Sequence, residues 1–326
     1  MNKKKALLEY LADGRFHSGA ILAQSLGVSR MAIWKQVQTL RDYGLDIFSV
    51  KRKGYRLAQP IDLLDLTRIK QSIDTTTQSR IANMEIAFIA ESTNRYLMDK
   101  LPHENIHGHV VLAEYQSAGK GSKDNRIWVS PLGGGIYLSI GWHFDVYPNS
   151  FTALSLATGV AVVRALQQCG VEGLGLKWPN DIVSKGSKLG GILIESRGIT
   201  KGHCDIVIGI GINVRIPAQV YTIIGQPFTD ISRLQRTLPA RNHLVAAIIS
   251  ETISMLVEFD QHGFSRFIDE WRRLDNFAGK EACLVFPDRT LNGRVLGIEN
   301  NGMLAMSING RKHQFAGGEL SLRSLE

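Results

Sequence analysis

The sequence predicts a multidomain α+β protein, and three observations along its 326 residues lead to this fold class. The N-terminal fifth is strongly basic and contains helix patterns joined by a glycine turn. The middle of the chain mixes β-rich runs with a long apolar helix, which is typical of helices packed on a mixed sheet. From about residue 275, short strand patterns are separated by Pro-Asp, Asn-Gly and Gly turns.

The composition is that of an ordinary globular protein, with 44% hydrophobic and 21% charged residues. No apolar run reaches the roughly 18 residues of a membrane span, which predicts no membrane association. Glu9 and Asp13 interrupt the apolar N-terminus and no cleavage site follows, so we predict no signal peptide. Cys169, Cys204 and Cys283 are far apart and form no CxxC motif, which favours the cytoplasm.

Nearly all of the excess positive charge lies at the N-terminus. Residues 1–60 contain eleven lysines and arginines against four acids, a net charge of +7 in a chain whose total is +8. This asymmetry indicates a polyanionic partner for one domain. Charge alone leaves a solvated basic surface open as the alternative.

The pattern of the same segment predicts a winged helix-turn-helix. A first helix ends at Gly14, Ser18 caps a second, and Gly27 turns the chain into a third helix capped by Ser29. Residues 45–57 then predict two strands around a Lys-Arg-Lys-Gly turn, a basic wing suited to phosphates. This favours DNA binding, with a protein-interaction module as the alternative.

The third helix has a buried and an exposed face. Ile33, Val37 and Leu40 repeat at i, i+4 and i+7 and are predicted to face inward. The exposed face and the wing supply the predicted contacts with DNA. These residues are Ser29, Arg30, Met31, Trp34, Lys35, Lys51, Arg52 and Lys53.

The loop of residues 114–131 lies between two predicted strands and does not match a known phosphate motif. Glu114 occupies the position of the first glycine of a Walker A loop, and Asp124 that of the third glycine of GxGxxG. Its glycines, backbone N–H groups and lysines are nevertheless suited to wrapping a negative ligand. Taken alone, the pattern is equally typical of a surface loop.

Further motifs follow other predicted strands and helices. "ESTN" at residues 91–94 is predicted to end a strand and offers three small polar side chains. "KWPND" at 177–181 brings a lysine, an asparagine and an aspartate together. "KLGGILIE" begins at Lys188, and "GIGIN" ends at Asn213. Each motif is commonplace alone, but their combination in this order is not.

Together with the winged helix, "RIWVSP", "EWRRLDNFAG" and the terminal "GGELSLRS", these motifs make the chain resemble the bifunctional biotin–protein ligases that also repress biotin operons. The resemblance runs nearly end to end. It implies a winged helix-turn-helix in residues 1–65, a biotin- and ATP-binding catalytic domain in residues 66–274, and a small SH3-like β-barrel in residues 275–326. It also implies Mg²⁺ with the nucleotide, a biotin carboxyl carrier domain as the protein substrate, operator DNA, and a homodimer.

The resemblance also implies roles for individual residues. Lys188, Lys177, Asp181 and Arg126 are the catalytic candidates, with Lys188 between the biotin carboxylate and the phosphate. The adenine side matches Trp128, Asn180 and Asn213, and the motifs assign no metal-ligating residue, the histidines of "HENIHGH" included. The biotin side matches Ser92, Thr93, Asn94, Gln116, Lys120, Gly121, Ser122 and Lys188.

The closing loop departs from the family pattern. The family has Gly-Arg-Gly-Arg-x-Gly-Arg before the tryptophan, whereas Lys120 and Ser122 replace the first two arginines here and Asp124 adds an acid. Lysine lacks the planar fork of arginine, and serine lacks its charge. We therefore expect weaker retention of biotinyl-5'-AMP. Two alternatives remain: a biotin-responsive DNA-binding regulator with weakened ligase activity, and a lipoate- or octanoate-type ligase.

Overall fold

The computed structural model describes residues 3–122, 126–146, 150–200, 203–286, 288–317 and 320–325, without the side chains of 198–200. Lys123, Asp124 and Asn125, which belong to the altered loop, lie outside the described residues.

The N-terminal segment forms three helices followed by an antiparallel hairpin. Ser18 and Ser29 each accept a hydrogen bond from a backbone N–H of the helix that follows, so both predicted caps are confirmed. Ile33, Val37 and Leu40 are fully buried, as the helical period predicts. The elements are α1 (Lys3–Leu11), α2 (Gly19–Ser25), α3 (Arg30–Asp42), β1 (Ile47–Val50) and β2 (Gly54–Leu57).

The central part of the chain is built on one seven-stranded mixed sheet. Its helices are α4 (Leu66–Gln71), α5 (Thr75–Gln78), α6 (Thr93–Lys100), α7 (Phe151–Gln168), α8 (Ile231–Leu234), α9 (Arg241–His262) and α10 (Ile268–Leu274). Its strands are β3 (Asn83–Ala87), β4 (His109–Ala113), β5 (Gly135–Phe144), β6 (Gly175–Lys177), β7 (Asp181–Ser184), β8 (Ser187–Thr200) and β9 (His203–Asn213). The order is β3-β4-β5-β9-β8-β7-β6, in which β3 and β4 are parallel and the other pairs antiparallel.

Helices cover both faces of this sheet. The long helices α7 and α9 pack together over the main core, which includes Phe144 of β5 against Phe259 of α9. Helix α6 lies on the other face, where Leu97 packs with Val111 and Val207. Residues 241–266 are long and apolar enough for a membrane span, but most of that stretch is buried inside the protein, as expected for a core helix.

The C-terminal residues form a five-stranded antiparallel sheet in the order β13-β12-β11-β10-β14. Four of its strands follow the predicted patterns, whereas β14, which pairs with β10, is not predicted. The Trp178 indole N–H donates to the Gly302 carbonyl at 3.1 Å and joins this sheet to the central part. The strands are β10 (Glu281–Val285), β11 (Thr290–Ile298), β12 (Leu304–Ile308), β13 (Arg311–Phe315) and β14 (Ser321–Ser324).

The segment of residues 58–65, which joins β2 to α4, is firmly anchored. Asp62 accepts hydrogen bonds from the backbone N–H of Arg241 at 2.8 Å and from the Asn242 amide at 3.1 Å, both at the start of α9. Leu64 donates its N–H to the Glu114 carboxylate at 2.6 Å. Because these partners are distant in sequence, only the tertiary structure reveals that the junction is fixed.

Candidate active site

A cleft opens between the N-terminus of α6, strands β5, β8 and β9, and the loop that follows β4. It encloses about 460 Å³, including the solvent at its mouth. Predicted site residues that line it are Ser92, Thr93, Asn94, Gln116, Lys120, Gly121, Ser122, Trp128, Asn180 and Lys188. The cleft therefore brings together ten residues from five separate motifs.

The "ESTN" motif starts a helix and does not end a strand as expected. Ser92 is the N-cap of α6, and Thr93 and Asn94 lie in its first turn. Both Thr93 and Asn94 are buried, at 4% and 3% exposure. The positive end of a helix dipole therefore points towards the cleft, which favours a negative or polar ligand group.

A hydrogen-bond network fixes these side chains. The Gln116 amide oxygen accepts from the Thr93 N–H at 2.8 Å, and its NH₂ group donates to Ser130 at 2.9 Å. Ser139 Oγ lies 2.7 Å from Thr93 Oγ1 and 2.6 Å from Asn94 Oδ1. A serine hydroxyl has one proton, so Ser139 donates to Asn94 and accepts from Thr93. Gln116 therefore positions Thr93 within the protein, which its motif alone does not indicate.

Two residues of this network, Ser139 and Glu195, were missed by sequence reasoning. Ser139 is the one small hydroxyl residue inside the apolar strand β5, a signal that could have marked it. The Glu195 carboxylate accepts from the Asn94 amide at 2.9 Å and pairs with the Lys120 ammonium at 2.9 Å. Glu195 thus connects the cleft wall to the closing loop.

The glycines of β8 and β9 give these side chains room. A Cβ at Gly209 would meet Asn94 Oδ1 at 2.3 Å, and one at Gly211 would meet the Trp128 indole at 2.6 Å. A Cβ at Gly191 would meet Lys188 at 3.2 Å. Glycine at these strand positions is therefore explained by close approach of side chains, because any larger residue would fill the cleft floor.

Lys188, one of the two lysines among the described residues that line the cleft, belongs to a partly buried ion triad. Its ammonium lies 2.5 Å from one oxygen of Asp181, while Lys177 lies 2.8 Å from the other. Burial raises the pKa of Asp181, but the two lysines outweigh it and hold that pKa below its usual value. Lys177 and Asp181 line a smaller depression of about 150 Å³ beside the cleft. Among the described residues, only Lys188 of the triad faces the main cleft.

Lys188 also lies over an aromatic face. Its ammonium is 5.5 Å from the Trp128 ring centroid, within the range of a cation–π contact. Asn180, on the same side, is held by its backbone and side-chain hydrogen bonds to Ile192. A ring and a cation thus lie together at this end of the cleft, an arrangement suited to a nucleotide.

The described ends of the glycine loop form a short antiparallel hairpin. The backbone N–H of Trp128 donates to the Gly119 carbonyl at 2.8 Å, and the backbone N–H of Gly121 donates to the Arg126 carbonyl at 2.8 Å. A Cβ at Gly119 would meet the Trp128 carbonyl at 2.5 Å, and one at Gly121 would meet Arg126 Cβ at 2.9 Å. The Gly121 N–H, which was expected to help wrap a ligand, therefore donates within the hairpin. Both glycines allow the two strands of the hairpin to approach closely.

Besides Lys177 and Asp181, two further predicted residues lie apart from the lining of the main cleft within the described ranges. Arg126 is exposed on the hairpin, and it contributes its backbone carbonyl there. Asn213 is buried at the end of β9, where its amide donates to the Thr229 carbonyl at 3.0 Å. Their predicted catalytic and adenine-side roles are not supported by direct access to the cleft in this conformation.

The residues predicted to contact DNA are exposed on α3 and in the turn of the β1–β2 hairpin. Met31 and Trp34 on α3 are 63% and 48% exposed, which is unusual for large apolar side chains. Arg30 and Lys35 are exposed on the same helix, and Lys51 to Lys53 form the turn between β1 and β2. A helix and a basic hairpin turn are thus available to a polyanion.

Comparisons with known proteins agree with this arrangement. A family model described as the biotin/lipoate A/B protein ligase family matches residues 85–213, and one described as an HTH domain matches residues 3–56. The bifunctional ligase/repressor BirA of Salmonella typhimurium is 39% identical over 98% of this chain and 97% of that protein. The bifunctional ligase/repressor BirA of Escherichia coli is 37% identical over 98% of this chain and 97% of that protein.

A solved structure shows the same fold. The biotin protein ligase from Aquifex aeolicus, in complex with biotin and ATP, superposes with a TM-score of 0.64. The match covers 75% of this chain and 100% of that one, at 24% identity.

The mixed sheet with its polar cleft, the preceding helix-turn-helix and the matching family models together indicate the class of protein. It is a ligase domain joined to a helix-turn-helix domain. The particular family follows from the full-length relatives. This chain belongs to the biotin/lipoate A/B protein ligase family, as a biotin–protein ligase with an N-terminal helix-turn-helix repressor domain.

Proposed function

We propose that this protein joins biotin to a lysine of a biotin carboxyl carrier domain in two ATP-dependent steps. We further propose that its N-terminal domain represses biotin synthesis when biotinyl-5'-AMP is bound. One observation carries the ligase part: the Lys188 ammonium and the Thr93–Asn94 polar groups line the same cleft.

In the first step, a carboxylate oxygen of biotin attacks the α-phosphorus of ATP and the bond to the β-phosphate oxygen breaks, releasing pyrophosphate. In the second, the amine of the carrier lysine attacks the acyl carbon and AMP leaves. The first step brings two anions together, and like charges at 4 Å repel by about 1 kcal/mol in water and more at lower dielectric. Lys188 lies where it offsets this repulsion and stabilises the charge that develops.

Mg²⁺ is proposed to enter with the nucleotide. Of the carboxylates in and beside the cleft, Asp181 is paired with two lysines and Glu195 with Lys120 and Asn94. These donor sets do not fit a metal site held by protein oxygens, whereas Mg²⁺ often binds mainly through phosphates and water. We therefore assign no step to a protein-bound ion.

The test is pyrophosphate release measured with biotin, with lipoate and without an acid, followed by labelling of a biotin carrier domain. Turnover that depends on biotin and labels the carrier is the expected result. Lipoate-dependent turnover would favour the lipoate-type alternative. Absence of biotin-dependent turnover would refute the ligase function. If operator binding still depended on biotin in that case, the regulator alternative would be favoured.

Replacement of Ser122 by arginine is expected to slow dissociation of biotinyl-5'-AMP. Ser122 lines the cleft without a charge, and one charge-assisted hydrogen bond of about 1.5–3 kcal/mol corresponds to roughly 10- to 100-fold. The measurement is the dissociation rate of labelled adenylate. Ser265→Arg, an exposed change in the turn after α9, is the matched control. Equal rates in both variants would contradict a retention defect at position 122.

Replacement of Lys51 by alanine is expected to weaken operator binding in a salt-dependent way. Lys51 lies exposed at the tip of the β1–β2 hairpin, where its charge suits a phosphate. Loss of one phosphate contact lowers the slope of log K against log salt by about 1. Lys70→Ala on α4 removes an exposed lysine outside the helix-turn-helix and controls for net charge. An unchanged slope for Lys51→Ala would exclude the wing contact.

The assembly is proposed to be a homodimer. Strand β8 extends past its pairing with β7, which ends at Gly191. Residues 194–200 therefore pair with β9 on one side, and their other edge has no strand partner among the described residues. Such an edge supports pairing with a second copy.

We propose the domain division 1–65, 66–274 and 275–326, with the last part an SH3-like barrel. Its five short antiparallel strands support this. The three free cysteines support a cytoplasmic protein.

A further inference from the structure

A cluster of two histidines and an aspartate lies where β5 ends and β9 begins. The ligand atoms of His143, Asp145 and His203 all lie within 4.8 Å of one another. The cleft lining reaches Leu138 on β5 and Gly209 on β9. With about 3.3 Å per residue along the strands, the cluster is roughly 15–20 Å from these residues. It is therefore a separate feature of the molecule.

We propose that His143, Asp145 and His203 bind a divalent transition-metal cation of the Zn²⁺ class. His143 Nε2 lies 3.5 Å from an Asp145 oxygen, and His203 Nδ1 lies 3.8 Å from the same oxygen. Tetrahedral zinc with bonds of about 2.0–2.1 Å separates its ligand atoms by about 3.3 Å. Both separations from the Asp145 oxygen come close to this value, so we infer that side-chain adjustments complete the site.

A second carboxylate orients the first histidine. His143 and Asp205 face each other across the paired strands, and His143 Nδ1 lies 2.8 Å from Asp205 Oδ1. This contact places the proton on Nδ1 and leaves Nε2 as the lone-pair nitrogen that faces Asp145. A carboxylate behind a ligating imidazole is the usual outer arrangement of protein zinc sites.

The charges and donor types favour the same class of ion. The carboxylates of Asp145 and Asp205 carry two negative charges, which a divalent cation balances. Two imidazole nitrogens select a borderline transition metal over Mg²⁺ or Ca²⁺, which prefer oxygen.

Neighbouring groups are accounted for. The backbone N–H of His143 donates a hydrogen bond to His107 Nδ1 at 3.2 Å, so this imidazole supports the strand end. Cys204 is buried at 1% exposure and pairs with Phe144, so its thiol lies on the opposite face. With three protein ligands, the ion keeps a fourth position for water. It would join the start of β9 to the segment that leads into α7.

The test uses the full chain without an affinity tag, freed of metal by a chelator, in calorimetric titration with Zn²⁺. One Zn²⁺ per chain is expected, with binding at least 10-fold weaker in His203→Ala and in Asp145→Ala. Asp205→Asn is expected to weaken binding by about 10- to 100-fold, as loss of an outer partner does. His313→Ala, an exposed histidine on β13, is the matched control and is expected to bind like the unmodified chain.

Cobalt absorption and ligase turnover test the coordination of the ion and its independence from the cleft. Co²⁺ in place of Zn²⁺ is expected to give visible bands that disappear in His203→Ala but persist in His313→Ala. Biotin-dependent pyrophosphate release is expected to be the same in His203→Ala as in the unmodified chain, because the cleft does not include this residue. Absence of Zn²⁺ binding, or equal binding in His203→Ala and the unmodified chain, would overturn the proposal.

Discussion

Replacing Lys188 with glutamine is expected to slow formation of biotinyl-5'-AMP by about 10²–10³-fold, the usual effect of removing one preorganised group that stabilises developing charge. Lys188 is the ammonium that faces both the cleft and the Trp128 ring. Without this ammonium, the repulsion between the biotin carboxylate and the phosphate of ATP is no longer offset by a cation at this position. The measurement is single-turnover pyrophosphate release at saturating biotin and ATP.

Two further variants make this result specific. Lys177→Gln removes the other partner of Asp181 but lies outside the main cleft, so we expect a smaller loss than for Lys188→Gln. Lys185→Gln changes an exposed lysine of the β7–β8 turn and is expected to have no effect. Equal losses for Lys188→Gln and Lys177→Gln would show that the triad acts only by holding the structure.

Replacing Arg241 with methionine is expected to lower the free energy of unfolding by about 3–5 kcal/mol, the cost of leaving one charge of a buried ion pair without its partner. The Arg241 guanidinium lies 2.5 Å from the Glu114 carboxylate, and the side chains are 3% and 4% exposed. Arg241 also donates to the Gly135 carbonyl at 2.9 Å and to the Asp62 carbonyl at 3.3 Å. The measurement is urea unfolding followed by circular dichroism.

A double variant identifies the cause. Glu114→Gln together with Arg241→Met removes the stranded charge while an amide oxygen still faces the Leu64 N–H, so part of the lost stability is expected to return. Arg236→Met, at an exposed position before α9, is expected to change stability by less than about 0.5 kcal/mol. If Arg241→Met and Arg236→Met have the same free energy of unfolding, the buried ion pair does not stabilise the junction.

The local features that could be predicted are those set by nearby residues. Ser29 caps α3 because its hydroxyl reaches an N–H three residues ahead, and Ile33 and Val37 are buried because they share a helical face. Four C-terminal strands follow from turn signals at their ends. The motif set also predicts most of the cleft lining, since each motif keeps its own side chains together.

The features that could not be predicted depend on pairing across the sheet. Ser139 meets Asn94 from 45 residues away, and Lys120 meets Glu195 from 75 residues away. The hydrogen bond of the Gly121 backbone N–H was also not predicted, because its partner lies across a hairpin at Arg126. In the same way, the "HENIHGH" histidines stand out in the sequence, whereas the proposed metal ligands meet only where two strands pair.

The sequence by itself determined the class of this protein, because helix caps, hydrophobic periods and short motifs depend on contacts within a few residues. It also determined where the closing loop departs from its family, at Lys120 and Ser122. Only the tertiary structure decided that Lys188, rather than Lys177 or Asp181, faces the main cleft, and that Glu114 and Arg241 fix the junction. Such pairings depend on strand register and helix packing, which bring together residues more than a hundred positions apart.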